Sequence, residues 1–275
     1  TGYKKLCSAN LPDPTILLPN KHFDTLLYTG NNTDDRDITG LNFQPDWLWI
    51  KERSGTDNHL LFNSIVGTSD FLNSNSSNAQ GNDPNALQSF NSDGFQIGTS
   101  SELNGNSETY VAWNWNAGGS TVTNTDGTIS AQVRANPTAG FSIVTYTGTG
   151  SNANIGHGLG VAPQVVITKA RSATSGWAVL HTVGDPNAEY RLVLNDNDGY
   201  SSYQGGNLWN DTVPTSTHFR VSSDASTNAS GVTYVGYVFS EVAGYSKFGK
   251  YTGSGSNDGP FVYLGFKPAF IIIKR

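Results

Sequence analysis

Trp47 and Trp49 stand two residues apart, as do Trp113 and Trp115. Side chains two apart on a strand share a face. Each pair would therefore set two flat apolar rings side by side, a platform on which a pyranose face can stack. The other chemistry-bearing residues are less organised. His22, His59, His157, His181 and His218 are scattered, with no pair at a metal-ligand spacing. His157 lies in Gly156-His157-Gly158-Leu159-Gly160, where the flanking glycines favour a turn residue. Asn195-Asp196-Asn197-Asp198-Gly199 has the look of a calcium-loop opening, but the twelfth position counted from Asp196 is Asn207 where that loop needs Glu. A local Asn/Asp turn is the simpler reading. Carboxylates are numerous enough for a glycosidase pair, yet none recurs at corresponding places in the repeat described next. There is no Gly-x-Ser-x-Gly elbow and no phosphate-binding glycine loop leading into a helix. Cys7 is the single cysteine, without a nearby His, and no disulfide or cysteine chemistry is expected of it. The expectation is a chain with no catalytic residue, no metal and no cofactor.

The residues around these candidates repeat. Tyr28-Thr29-Gly30, Tyr146-Thr147-Gly148 and Tyr251-Thr252-Gly253 are each followed by a proline (Pro45, Pro163, Pro268) at one fixed distance. Each proline leads a strand-like run ending in Lys51, Lys169 or Lys274. The later parts of two copies also correspond: Phe95 and Tyr110 are separated by the same interval as Phe219 and Tyr234. One copy spans about 100–110 residues, an ordinary domain size. The third stops at Arg275 after its first strands, and the chain opens on Thr1 without an apolar signal core. Both features lead to the expectation that the chain is part of something longer.

The repeat bears on the tryptophans. Trp47 and Trp49 become Val165 and Ile167 in the second copy, and Trp113 and Trp115 become Tyr237 and Phe239. Bulk persists while the ring does not, which is how core positions vary. The pairs are therefore read as core, with a loss of about 3–5 kcal/mol expected for Trp113→Ala. Trp209, in the polar setting Asn207-Leu208-Trp209-Asn210-Asp211, has no counterpart in the first copy. It is the better candidate for an exposed glycan contact, with a satellite core role as the alternative reading.

The elements that must position these residues are strands. Apolar runs are four to eight residues long, rich in β-branched and aromatic residues, and bounded by Gly, Asn, Asp or Ser, with no sustained helical period. The fold class expected is all-β: tandem antiparallel β-sandwich repeats, jelly-roll or concanavalin-like. The expected organisation is 1–20 as the tail of a preceding domain, 21–119 as repeat 1, 120–138 as a linker, 139–249 as repeat 2, and 250–275 as the start of repeat 3. On the strand after Pro45, one face reads Trp47, Trp49, Lys51 and the other Asp46, Leu48, Ile50. Both faces are mostly apolar, so either a neighbouring repeat or subunit covers the outer one, or the strand is simply apolar.

Composition narrows the function classes. Charged residues are 14% of 275, against roughly a quarter in ordinary domains, and the net charge is −6. No basic excess exists to hold nucleic acid, and no apolar run approaches the roughly 18 residues of a membrane helix. Aromatics at 11% require a buried core.

The units carrying Phe141 to Gly148, Gly158 to Pro163, Lys169 and Thr233-Tyr234-Val235, joined to the next copy through Ala243 to Gly249, resemble a repeated domain of tailed-phage virion proteins, common in marine and cyanobacterial phages. Copy three departs from the pattern, with Ser246 in place of the Phe five residues before Tyr251. The head, Thr1 to Pro12, resembles the exit of a SPRY-type sandwich. The resemblance implies a non-enzymatic virion structural protein, tail-fibre-like or another surface appendage of a bacteriophage, located on the virion or outside the cell. It carries over no catalytic residue. The partners it implies are further copies or other virion proteins, and host attachment through a surface glycan is the further expectation, with no nucleic acid and no membrane insertion. A glycan-binding adhesin and a polysaccharide-degrading tail enzyme are the alternatives.

Overall fold

The computed structural model describes residues 14–200 and 208–275. Nearly all regular structure in them is antiparallel strand, as expected of the fold class. The first half holds β1 (Phe23–Thr29), β2 (Arg36–Thr39), β3 (Trp47–Glu52), β4 (Leu60–Asn63), β5 (Gly67–Leu72), β6 (Gly81–Asn82), β7 (Leu87–Asn91), β8 (Gly94–Ile97), a one-turn α1 (Ser101–Asn104) and β9 (Thr109–Trp115). The second holds β10 (Val122–Asn124), β11 (Ala131–Asn136), β12 (Phe141–Thr147), β13 (Ala153–Gly156), β14 (Val165–Ala170), β15 (Ala178–His181), β16 (Leu192–Val193), β17 (His218–Val221), α2 (Ala225–Asn228) and β18 (Thr233–Phe239).

A six-stranded sheet, β1-β9-β3-β4-β5-β6, and a three-stranded sheet, β2-β8-β7, build the first half. A seven-stranded sheet, β10-β11-β12-β18-β14-β15-β16, and the pair β13-β17 build the second. The period of two assigns each strand's side chains to different cores. From β3, Leu48 and Ile50 enter a cluster with Phe95, Ile97 and Tyr110. Trp47 and Trp49 point the other way, into a cluster with Phe141, Ile143, Val165, Ile167, Val235 and Tyr237. From β18, Tyr234 and Val238 face a third cluster with Phe219 and Val221. The layers thus run small sheet, large sheet, large sheet, small sheet. The outer face of each large sheet is covered by the other, which accounts for the two apolar faces of β3.

The seam between the large sheets is aromatic. The Trp47 ring stacks on Tyr237 at 4.2 Å and 19°, and lies 4.3 Å from Trp115 and 5.7 Å from Phe141. Trp177 is fully buried above Tyr237 and donates its indole N–H to Asn73 O at 2.9 Å. Trp47, Trp49 and Trp115 are buried, in line with the core reading. Trp113 is not: it is half-buried at the rim of the seam. The large loss expected at Trp113 belongs instead to Trp47.

The Tyr-Thr-Gly motif has the same geometry twice. Tyr28 stacks on Tyr110 at 5.0 Å, and Tyr146 on Tyr234 at 5.2 Å. The first hydroxyl of each pair donates into the one-turn helix, Tyr28 to Leu103 O and Tyr146 to Thr227 O. The second closes that helix: Tyr110 accepts from Gly105 N and bonds Ser101 O, while Tyr234 accepts from Ala229 N and bonds Ala225 O. A Cβ on Gly30 would collide with the Gly105 carbonyl, and one on Gly148 with the Ala229 carbonyl. The glycine therefore answers to a close backbone approach. The repeated Lys also has a common role: Lys51, Lys169 and Lys274 each donate to the carbonyl of the next residue.

Residues 120–138, read from sequence as a linker, contain β10 and β11, which extend the seven-stranded sheet. Their polar composition reflects solvent contact: β10 is the edge strand and has no buried residue, and Gln132 of β11 is exposed. No strand occurs within 250–275. The resemblance to a domain exit at Thr1 to Pro12, like Cys7, lies outside the described residues.

Trp47→Ala should cost about 3–5 kcal/mol, and Trp113→Ala clearly less, when both are measured by denaturant unfolding. Equal losses would contradict the placement of the seam. Gly148→Ala should cost about 1–3 kcal/mol by forcing the α2 carbonyl away. An unshifted unfolding midpoint would show that the approach is not tight.

Candidate functional site

The aromatic seam opens to the surface at one end. Trp49 from β3, Trp113 from β9, His59 just before β4, and the extended segment Ala269–Ile272 line an open groove of ≈ 360 Å³. Phe270 occupies the position in its copy that Trp47 has in the first. Its ring caps the rim, 5.6 Å from Trp113, 5.4 Å from Trp115 and 5.8 Å from Phe23. Trp49 and Trp113 meet edge to face at 83°. The Trp49 indole N–H donates to His59 Nδ1 at 2.8 Å, so in the neutral ring the proton is on Nε2. Burial, and then the charge of Lys51, holds His59 below the ordinary histidine value. The groove offers flat apolar faces and one imidazole, and no carboxylate lines it. It is suited to stacking.

Trp209 does not reach any such surface. It is fully buried, packed with Leu208, Tyr146, Phe219 and Val221 in the inner core of the second half. The expected exposed contact there is corrected: Leu208 O receives hydrogen bonds from Ser222 N and Thr227 Oγ1, which draws the polar-looking loop inward. Asn210 and Asp211 take left-handed φ values at the turn, as Asn and Asp do most readily. A polar sequence therefore surrounds a buried ring.

The remaining candidates are local. Asn195 Oδ1 accepts from Trp177 N, and Asp196 Oδ1 from Asp198 N, so these side chains serve turns. Among the described residues no group of three His, Cys, Asp or Glu is placed to hold a metal ion. His157 is buried; Leu159 N donates to its Nδ1, and its Nε2 faces Thr215 O at 3.1 Å. That arrangement needs the neutral ring with hydrogen on Nε2, and burial holds its value low.

Two polar features of the seam escape sequence reading. Asp46, buried before β3, accepts from Arg134 Nε of β11 at 3.0 Å, from Ser64 Oγ and from Ala117 N. Burial raises the Asp46 carboxyl above its ordinary value, with Arg134 pulling against it. Lys169, fully buried at the end of β14, reaches Ala170 O at 2.8 Å and Ser77 O, across the seam, at 3.4 Å. Only the recurring lysine signalled the position; its burial depends on the partner half.

Burial lowers the Lys169 ammonium to about 8. The unfolded chain keeps this proton to about 10.4. Between those values the unfolded state binds more protons, so stability rises with pH. Below pH 10 the buried tyrosines, whose hydroxyls burial pushes upward, do not yet oppose this. The denaturation midpoint should increase from about pH 7.5 to about pH 9.5 and stay flatter in Lys169→Met. A wild-type midpoint that does not rise relative to the variant would contradict a charged lysine at the seam.

No curated protein and no solved structure matches the chain. The family described as a domain of unknown function (DUF7483) matches residues 18–275, so the match runs through both halves and the rim segment carrying Phe270. The chain belongs to this DUF7483 family.

Proposed function

We propose that this chain is a non-enzymatic virion structural protein, a tail-fibre-like or other surface appendage built of tandem β-sandwich modules. The observation that carries the reading is the seam. Two duplicated halves are fused face to face, with Trp47, Trp177 and Tyr237 spent on joining them. Polar bonds lock the same contact: Asp46 to Arg134, Asn63 to Tyr237, and the backbone bonds Gln80 to Arg171 and Ser175 to Ser77. A stiff unit is what an appendage requires, and the weakly charged Gly-rich composition suits a solvent-facing scaffold. The sequence resemblance to phage repeat domains supplies the biological setting. Assembly with further copies or with other virion proteins is part of this reading.

A second reading, a glycan-binding adhesin, is favoured by the rim groove at Trp49, His59 and Trp113. Stacking on half-buried Trp113 is the form such binding would take.

Genes for tail or capsid assembly flanking the reading frame are expected under the first reading. A neighbourhood of cellular metabolic genes would overturn it. A glycan array probed with wild type and Trp113→Ala separates the second: binding lost in the variant supports an adhesin, and no binding to any glycan removes it.

A further inference from the structure

We propose that β1 is a docking edge, filled in the assembled protein by β1 of a second copy of this chain. The internal duplication identifies the edge. β1 corresponds to β12, and each pairs on its inner side with the last strand of its half, β9 or β18. On its outer side β12 carries a further strand, β11, with Phe141 opposite Asn136, Ile143 opposite Arg134 and Thr145 opposite Gln132. The equivalent side of β1 carries no strand among the described residues; β1 ends its sheet. The outward backbone groups are those of Phe23, Thr25, Leu27 and Thr29, because Gly30 N and His22 O, at even positions, bond inward to Glu108 and Asn116.

The chain's own segment cannot serve as β11 does. In both halves a proline precedes the strand by four residues, Pro19 and Pro137. The residues that would match β11 therefore lie just before Pro19. They include Pro14, which has no amide hydrogen to give. Thr15 N bonds Ala243 O instead, and Pro14 packs at Gly244. The donor that works within the chain for β12 is diverted for β1, so the edge is left for a strand in trans.

β1 is suited to pair with itself. It runs seven residues without proline, lysine or a bulge, so of the usual guards of an edge only one charge, Asp24, is present. Leu27 is 64% exposed. An antiparallel pair centred on Leu26 overlaps all seven residues, sets Thr25 opposite Leu27, and places Asp24 opposite Tyr28 instead of another Asp24. Asp24 accepts from the Thr25 amide at 2.8 Å, a bond that the Leu27 carbonyl of the second copy would replace. The result is one continuous sheet across a twofold axis, a self-complementary interface of the kind that closes dimers.

This deepens the assembly part of the function proposed above, and the test separates the two. Light scattering of the purified chain at about 100 µM, where a modest dimer is populated, is expected to give the dimer mass. Thr25→Pro removes an outward amide and no inner ladder bond; Leu27→Lys adds an edge charge and keeps every amide. Both variants are expected to be monomers with wild-type circular dichroism. If Thr25→Pro misfolds, Leu27→Lys alone decides. A wild-type monomer overturns the proposal. An oligomer that persists in folded Leu27→Lys also overturns it, while leaving assembly through another surface in force.

Discussion

The contact between Trp47 and Tyr237 is the constraint on which the rest depends. Each half has one large sheet with two apolar faces, and its small sheet covers only one. The second face can stay out of water only against the other half. Pressing the large sheets together hides both at once, and it brings Asp46 within reach of Arg134 and Lys169 within reach of Ser77. Those polar groups would be solvated in a separated half. Their burial is a consequence of the seam, and the lowered Lys169 value is its electrostatic signature.

A second layer of order is internal to each half. The stacked tyrosine pair, the one-turn helix and the glycine that fits beneath its end form one hydrogen-bonded unit. A buried asparagine completes it in both halves. Asn104 accepts from Asn31 N and donates to Thr33 O and Gly98 O; Asn228 accepts from Thr149 N and donates to Ser151 O and Ser222 O. A short helix cannot satisfy its own terminal groups, and the tyrosine hydroxyls do so, while the asparagines tie the adjoining loops to it. The unit holds the end of the first strand and the start of the last together, which sets the register of the central pairs β1–β9 and β12–β18.

The sequence made the strands, the repeat and the burial of Trp47, Trp49 and Trp115 legible, because alternation and recurrence are local properties of the chain. It made the seam legible only as a surplus of apolar faces on β3. Two elements were misread for one reason. The stretch 120–138 is polar because β10 is an edge strand and β11 keeps Gln132 exposed, and the surroundings of Trp209 are polar because Asn210 and Asp211 take left-handed backbone at a turn beside the buried ring. Polarity reports solvent contact averaged over neighbours, and a single ring or one strand face can depart from that average. The burial of Lys169 and Asp46 was not legible, because nothing local distinguishes a buried charge from an exposed one.

The seam also explains why the two copies differ where they do. Corresponding faces of duplicated sheets meet there, so identical residues would bring large rings against large rings. Packing at interior density tolerates neither that overlap nor the gaps left by small residues on both sides. The copies divide the volume instead. On β3 the first half presents Trp47 and Trp49, where β14 presents Val165 and Ile167. Tyr237 of β18, smaller than its counterpart Trp113, then lies flat on Trp47 and keeps its hydroxyl on Asn63. Trp113 is left over at the rim, beyond the reach of the opposing sheet, where Phe270 covers one side of it. The half-exposed ring that makes the groove is thus the remainder of fitting two similar faces together, and any binding there draws on a residue the packing of the seam leaves partly free.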